Sequence, residues 1–274
     1  MPELPEVETV KESLKLKLIG KTIRSAQILW DNIIAFPSKE KFTKEIGNKT
    51  IIDIKRRGKF LMFDLDDYYL LSHLRMEGKY FFKNHNEDIN KHEHVIFDLG
   101  NNEELRYMDT RKFGKMYLIK KEEINNIGPL NELGLEPWDD KLNCEYLLNK
   151  YKNKKLPIKS VLLDQSIIVG IGNIYADEIL FLSRINPLKA SSLISKGECK
   201  DIIKYTREVL EKAIKMGGST IRTYSSVDGV HGLFQNELLV HGKDKGNCPV
   251  CNEKIAKIRV GGRGTYYCPK CQKM

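Results

Sequence analysis

The sequence predicts an α+β chain of several domains. Three observations carry this. Short strand-patterned segments run from about residue 22 to 120, helical spacing takes over after about residue 140, and two Cys-x-x-Cys pairs stand near the C-terminus. With 274 residues, 41% hydrophobic and 30% charged, the chain can bury a sizeable core and does not have the composition of a disordered polymer.

Taken in order, residues 1 to about 19 read as a special terminus followed by a helix, ETVKESLKLKL. The segments TIRSAQILW, TIIDIKRRG, FLMFDL, YYLLSHL, GKYFF, HVIFDL, ELRYM and GKMYLI follow. They are short, rich in Ile, Phe, Tyr and Val, and divided by turns such as DLDD, NHNED and LGNN. Many short strands at this spacing predict a sandwich or barrel. GPLNELGLEPWDD (128–140), with two glycines and two prolines, reads as a linker. Beyond it NCEYLLNKY, IKSVLLDQ, IYADEILFLSR and GECKDIIKYTREVLEKAIKM place apolar residues at helical intervals. VGIGNIYADEI sets a Gly-rich turn before a helix, and GGSTIRTYSSVDGVHG (217–232) reads as a mobile loop. The expected domains are 1–134, 135–237 and 238–274.

The net charge of +9, from 46 basic and 37 acidic side chains, favours a polyanionic partner. PELPEVE at positions 2–8 is unlike a secretory n-region, and no apolar run approaches the roughly 18 residues of a membrane span. A cytoplasmic chain with no membrane partner is therefore expected. In that reducing compartment clustered cysteines hold metal rather than disulfides. No self-complementary apolar face is visible in the patterning, so a monomer is expected.

Cys248, Cys251, Cys268 and Cys271 have the spacing C-x2-C-x16-C-x2-C. Each pair puts two thiolates on one tight turn, and two facing turns close a tetrahedron around one structural Zn²⁺ with no open position for catalysis. Residues 241–274 carry eight basic side chains against two acidic ones. Gly261, Gly262 and Gly264 permit a tight hairpin that projects Arg263, and a glycine-flanked arginine can approach and clamp a phosphate.

At the other end, removal of Met1 from a small second residue would leave a free proline. The secondary amine of Pro2 can attack a sugar C1′ and form an iminium. An α-amino pKa near 7.7–8.0 leaves a useful neutral fraction at working pH. Glu3 and Glu6 lie beside it to donate or relay protons.

Together, PELPEVET, RRGKF (56–60), SHLRMEG (72–78), DTRKFG (109–114), VGIGNIYADE (169–178), GGSTIRTY (217–224), QNELLVHG (235–242) and GRGTYYCPKCQ (262–272) resemble the formamidopyrimidine-DNA glycosylase family along the whole chain. The resemblance implies an N-terminal β-sandwich, a helical helix–two-turns–helix domain and a C-terminal zinc ribbon, with DNA held between them. It implies removal of oxidised purines from double-stranded DNA, followed by cleavage at the abasic site. Pro2, Glu3, Lys59 and Arg263 match the family's catalytic positions. Lys59 corresponds to the lysine of proton transfer in β-elimination and Arg263 to the arginine credited in δ-elimination. A guanidinium is a poor proton donor, so Arg263 suits the phosphate-clamp role better.

Met76, Arg111 and Phe113 match the residues that fill the hole left by an extruded base. Met and Phe suit a gap between stacked bases, and Arg can bond the abandoned cytosine. His73, His92 and Lys154 match further DNA contacts. Asn173, where the Gly-rich turn opens a helix, suits a phosphate. The implied base pocket comprises Glu6, Glu77, Ser219, Arg222, Thr223 and Tyr224. Two other readings share these features: an endonuclease VIII-like glycosylase for oxidised pyrimidines, and a non-catalytic zinc-ribbon protein that binds damaged DNA. PELPE rather than PEGPE, and the full GGSTIRTY loop, favour purines; intact Pro2, Glu3 and Lys59 favour catalysis.

Overall fold

The strand-rich half folds as two sheets around one core. In the computed structural model, which describes residues 1–219 and 232–274, the chain forms two compact units. The first is Met1–Asn131 together with Ser219–Gly232, and the second is Glu132–Gly218 with Leu233–Met274.

The first unit opens with helix α1 (Leu4–Leu18), which buries Leu4, Val7, Val10, Leu14 and Leu18 at helical spacing. Strands β1 (Thr22–Ile23), β2 (Ser25–Ile28) and β3 (Ile34–Phe36), helix α2 (Lys39–Ile46) and strand β4 (Lys49–Thr50) follow. The remaining strands are β5 (Asp53–Arg57), β6 (Phe60–Asp64), β7 (Tyr68–His73), β8 (Lys79–Asn84), β9 (Glu93–Gly100), β10 (Glu103–Met108) and β11 (Lys115–Lys120). One sheet has the order β2-β9-β10-β8 and the other β3-β11-β7-β6-β5. Ile54, Phe63 and Leu70 from one, Val95, Phe97 and Tyr107 from the other, and α1 share a single core. Each such fully buried side chain contributes roughly 1.5–3 kcal/mol. This is the expected β-sandwich.

Helix α2 interrupts a stretch whose pattern reads as strand. Ser38 caps it, its Oγ accepting the Lys41 N–H, and only Phe42 and Ile46 reach the core. Two apolar residues four apart are too few for periodicity to register.

The second unit holds α3 (Cys144–Tyr151), α4 (Ile158–Leu162), α5 (Asn173–Leu182), α6 (Lys196–Lys215) and the hairpin β12 (Ala256–Val260) and β13 (Arg263–Tyr267). Its first residues are packed rather than free. A Cβ on Gly134 would sit 2.3 Å from the Ile167 carbonyl oxygen, and the Arg207 guanidinium donates to the carbonyls of Pro137, Asp139 and Leu142. The stretch expected as a linker thus ends as part of the helical packing. Phe181 of α5 shares a core with Val240, Ile255, Cys248 and Cys268, so ribbon and helices form one body. Among the described residues no helix is long and apolar enough to cross a membrane.

Candidate functional site

The first unit gathers Pro2, Glu3, Glu6, Lys59, His73, Met76, Glu77, His92, Arg111, Phe113 and Ser219. At the start of α1, Pro2, Glu3 and Glu6 are all buried. The Glu6 carboxylate is divided between two duties. One oxygen accepts the Glu3 N–H at 2.7 Å, closing the first helical turn; the other accepts the Ser219 N–H at 2.7 Å and hydroxyl at 3.1 Å. Glu6 therefore fixes the N-terminal turn against Ser219. Arg222, Thr223 and Tyr224 lie outside the described residues.

Lys59 sits in the two-residue turn between β5 and β6, after Gly58 at φ +57°. A positive φ there matches the twist that hairpin strands need. Arg56 braces the turn, donating to Glu8 at 2.7 Å and to the Gly58 carbonyl at 3.0 Å. The lysine is only 5% exposed. Its charge is felt by His73, whose pKa is pushed down to about 3 by burial first, then by Arg75 and Lys59. The neutral ring packs edge-on against Phe60, and its Nδ1 accepts the Arg75 N–H at 3.0 Å. His73 thus holds the turn that carries Met76, a role its match to a DNA contact did not foretell.

Two loops project side chains from this unit. Met76 and Phe113 are exposed, at 37% and 49%, and the Arg111 guanidinium lies 4.7 Å from the centroid of the Phe113 ring. Met1, Arg75, Met76, Arg111, Lys112, Phe113 and Lys115 line one open groove of about 490 Å³. No acidic residue lines it, so the groove combines cationic and apolar surface, the chemistry of a nucleic-acid site. Glu77 is half-buried beside it in sequence, and His92 is half-buried with its backbone bonded into the neighbouring loop. Lys112 also covers Trp30, 3.8 Å from the ring centroid, an aromatic partner not singled out in the sequence.

The loops meet around one buried hydroxyl. A Cβ on Gly78 would lie 2.2 Å from Tyr107 Oη, and one on Gly114 would lie 1.8 Å from it. Only glycine fits either position. Gly114→Ala is expected to displace the loop and cost about 1–3 kcal/mol of stability, with weaker duplex binding. Adding Tyr107→Phe should restore part of the loss. Thermal melting and duplex titration check this; an unchanged melting temperature in the single variant would refute it.

In the second unit, Asn173 opens α5 and its Nδ2 donates to the Gly264 carbonyl at 3.0 Å. That bond links the helix start to the residue beside Arg263, which is exposed at the start of β13. Gly261 and Gly262, at φ +54° and +77°, form the two-residue turn between paired Val260 and Arg263, the tight hairpin expected. Beneath it the fully buried Lys159 donates to the Gly264 carbonyl and Thr265 Oγ1 and pairs with Asp177 at 2.7 Å. The other Asp177 oxygen meets His241 Nδ1 at 2.7 Å, and Glu178 accepts the backbone N–H groups of Leu239, Val240 and His241. No motif in the sequence assigns Lys159, Asp177 or Glu178 a role of its own. Their signal was a set of charges inside otherwise apolar runs. Lys154 is half-buried, with its ammonium 3.7 Å from Asp164.

The four ribbon cysteines place their sulfurs within 4.8 Å of one another. Cys248 and Cys271 are 3.8 Å apart and Cys251 and Cys268 3.4 Å. Zinc–sulfur bonds of about 2.3 Å in a tetrahedron require sulfurs roughly 3.8 Å apart. The donor set and spacing fit one structural zinc.

Known proteins match along the chain. Residues 1–116 match the formamidopyrimidine-DNA glycosylase N-terminal domain, 133–225 the formamidopyrimidine-DNA glycosylase H2TH domain, and 247–273 a zinc finger found in FPG and IleRS. A formamidopyrimidine-DNA glycosylase of Oceanobacillus iheyensis is 49% identical over 273 residues, 99% of this chain and 98% of that one. One of Bacillus subtilis is 45% identical, covering 99% of each. Among solved structures, Lactococcus lactis Fpg with abasic-site DNA aligns at TM-score 0.92 and 39% identity, over 99% of this chain and 100% of that one. The wild-type Lactococcus lactis Fpg with N7-benzyl-Fapy-dG DNA aligns at 0.93 and 39%, over 100% of both.

Proposed function

The chain belongs to the formamidopyrimidine-DNA glycosylase family and is a DNA glycosylase of base excision repair, and from that premise we propose that it removes oxidised purines through an imine formed at Pro2. The observation that carries this is the shared groove. The start of the chain, at Met1, opens into the same cationic and apolar surface as Met76, Arg111 and Phe113. A nucleophile and a set of base-replacing side chains are needed in one place if a nucleotide is to leave the stack and react.

In this reading Met76, Arg111 and Phe113 enter the duplex as the damaged nucleotide is extruded. The Pro2 nitrogen attacks C1′ while Glu3, buried beside it, protonates the opening ring oxygen. The base leaves and an iminium joins enzyme and sugar. Loss of a C2′ proton expels the 3′ phosphate, and a second elimination expels the 5′ phosphate, leaving a one-nucleotide gap. Lys59 serves the proton transfers. Arg263, Asn173, Lys154 and His92 hold the DNA backbone, and His73 holds the Met76 turn. Glu6, Glu77, Ser219 and the segment with Arg222, Thr223 and Tyr224 form the base pocket. There an acceptor facing N7 would penalise undamaged guanine, which lacks a hydrogen at that nitrogen. The working division is 1–134 for catalysis, 135–237 for DNA binding and lesion recognition, and 238–274 for the ribbon, acting as a cytoplasmic monomer on duplex DNA.

The test pairs borohydride trapping with substrate choice. Duplexes carrying 8-oxoguanine opposite cytosine are expected to give a covalent protein–DNA adduct and faster excision than duplexes carrying thymine glycol. Equal or reversed preference would overturn the purine assignment, and absence of an adduct would overturn the imine.

A further inference from the structure

Asp109 begins the loop that carries Arg111 and Phe113, and it is completely buried. Its carboxylate turns back into that loop. Oδ1 accepts the Arg111 N–H at 3.0 Å; Oδ2 accepts the Phe113 N–H at 2.9 Å and the Gly114 N–H at 2.8 Å. Its carbonyl accepts the Lys112 N–H at 3.2 Å and lies 2.8 Å from His94 Nε2. Its own N–H donates to the His92 carbonyl at 2.9 Å.

The loop needs such an anchor. Lys112 adopts φ +58°, a left-handed conformation disfavoured for a side chain with a Cβ, and the turn points three amide N–H groups inward. A buried anion that accepts all three satisfies them and fixes the directions in which the neighbouring side chains leave the backbone. Asp109 itself lies between the strands, since β10 ends at Met108 and β11 begins at Lys115.

We infer that Asp109 is the positioning residue of the duplex wedge. It sets Arg111 and Phe113 at the angle needed to enter the stack and joins their loop to that of His92. The inference rests on the reading of Arg111 and Phe113 as base-replacing residues. Asp109 touches no reacting atom, so its effect should appear only where a duplex must be opened.

The experiment compares cleavage of one abasic oligonucleotide as a duplex and as a single strand, which has no stack to enter. The readout is the duplex-to-single-strand rate ratio. Asp109→Ala is expected to lower that ratio on the order of 10²-fold, the usual consequence of misplacing a working group by about an ångström. Asp109→Asn, which keeps one oxygen and turns a donor toward the Arg111 N–H, should lower it less. Both should also relax the preference for cytosine opposite the lesion. Met76→Ala and Phe113→Ala serve as references. If they lower the ratio and Asp109→Asn leaves it at the wild-type value, or lowers both rates equally, the inference is overturned. If the reference variants also leave it unchanged, the wedge reading itself falls. Should Asp109→Ala fail to fold, as judged by circular dichroism and melting, Asp109→Asn decides.

Discussion

A chain that retains Met1 is expected to form no borohydride-trapped adduct and to cleave damaged duplexes at least about 10³-fold more slowly, the scale of losing an enzyme's nucleophile. With Met1 attached, the Pro2 nitrogen is a tertiary amide whose lone pair is delocalised into the carbonyl. Removal of Met1 converts it to a secondary amine with a pKa near 7.7–8.0. Met1 also lines the groove into which the sugar must come, so its presence obstructs as well as deactivates. The turn behind it is already fixed, because Glu6 holds the Glu3 N–H. Inserting a lysine between Met1 and Pro2 would prevent processing, and intact mass would verify it. Because Met1 shares the groove with Met76, Arg111 and Phe113, duplex affinity is measured alongside, and the loss of cleavage should far exceed any change in affinity. Pro2→Gly keeps a terminal amine and should retain part of the activity. Full-speed nicking by protein whose mass includes Met1 would end the Pro2 mechanism.

What was legible in the sequence followed local rules. The strands of the sandwich have β-branched and aromatic runs bounded by turns, and the ribbon declares itself through cysteine spacing and the Gly261–Gly262 turn. The first turn of α1 was less so: its helix begins at Leu4, with Pro5 in the first turn, where a proline costs little. What was hidden depends on partners distant in sequence. Helix α2 exposes too little apolar pattern to be seen without its core. The 128–140 stretch has a linker's composition, yet Arg207, some 70 residues later, uses its carbonyls. His73 and Asn173 stand in recognisable motifs, but their bonding is not visible there, because the Arg75 amide and the Gly264 carbonyl are supplied only by the fold. Asp109 opens the motif DTRKFG, yet nothing in those residues says that three amides will converge on its side chain.

Removal of zinc is expected to abolish tight duplex binding and, with it, strand cleavage. A structural zinc contributes roughly 10–16 kcal/mol at neutral pH in small finger peptides, far more than a ribbon of about 30 residues can recover from its own core. Here the consequence reaches further than the ribbon. Cys248 and Cys268 share a core with Phe181, Val240 and Ile255, and the hairpin bearing Arg263 rests on Asn173, Lys159 and Asp177. Without the metal the sulfurs take up protons and nothing holds them at the 3.4–3.8 Å approaches, so the hairpin loosens over the buried Lys159–Asp177 pair. Lys159 would then lose the Gly264 carbonyl and Thr265 hydroxyl that complete its hydrogen bonds, leaving a buried ammonium less well satisfied. Cys251→Ser, or chelation under mildly denaturing conditions, should therefore lower the melting temperature of the second unit and remove Arg263 from its phosphate. The salt dependence of residual binding should flatten as phosphate contacts are lost, by about 0.9 in slope for each. Metal analysis should find one zinc per chain in the active protein. Cys144 and Cys199 lie outside the cluster, so Cys144→Ser and Cys199→Ser should leave that content unchanged. Zinc-free protein that still binds and cleaves a lesion duplex at the native rate would separate the ribbon from the reaction, because the hairpin would then hold its place on helix contacts alone.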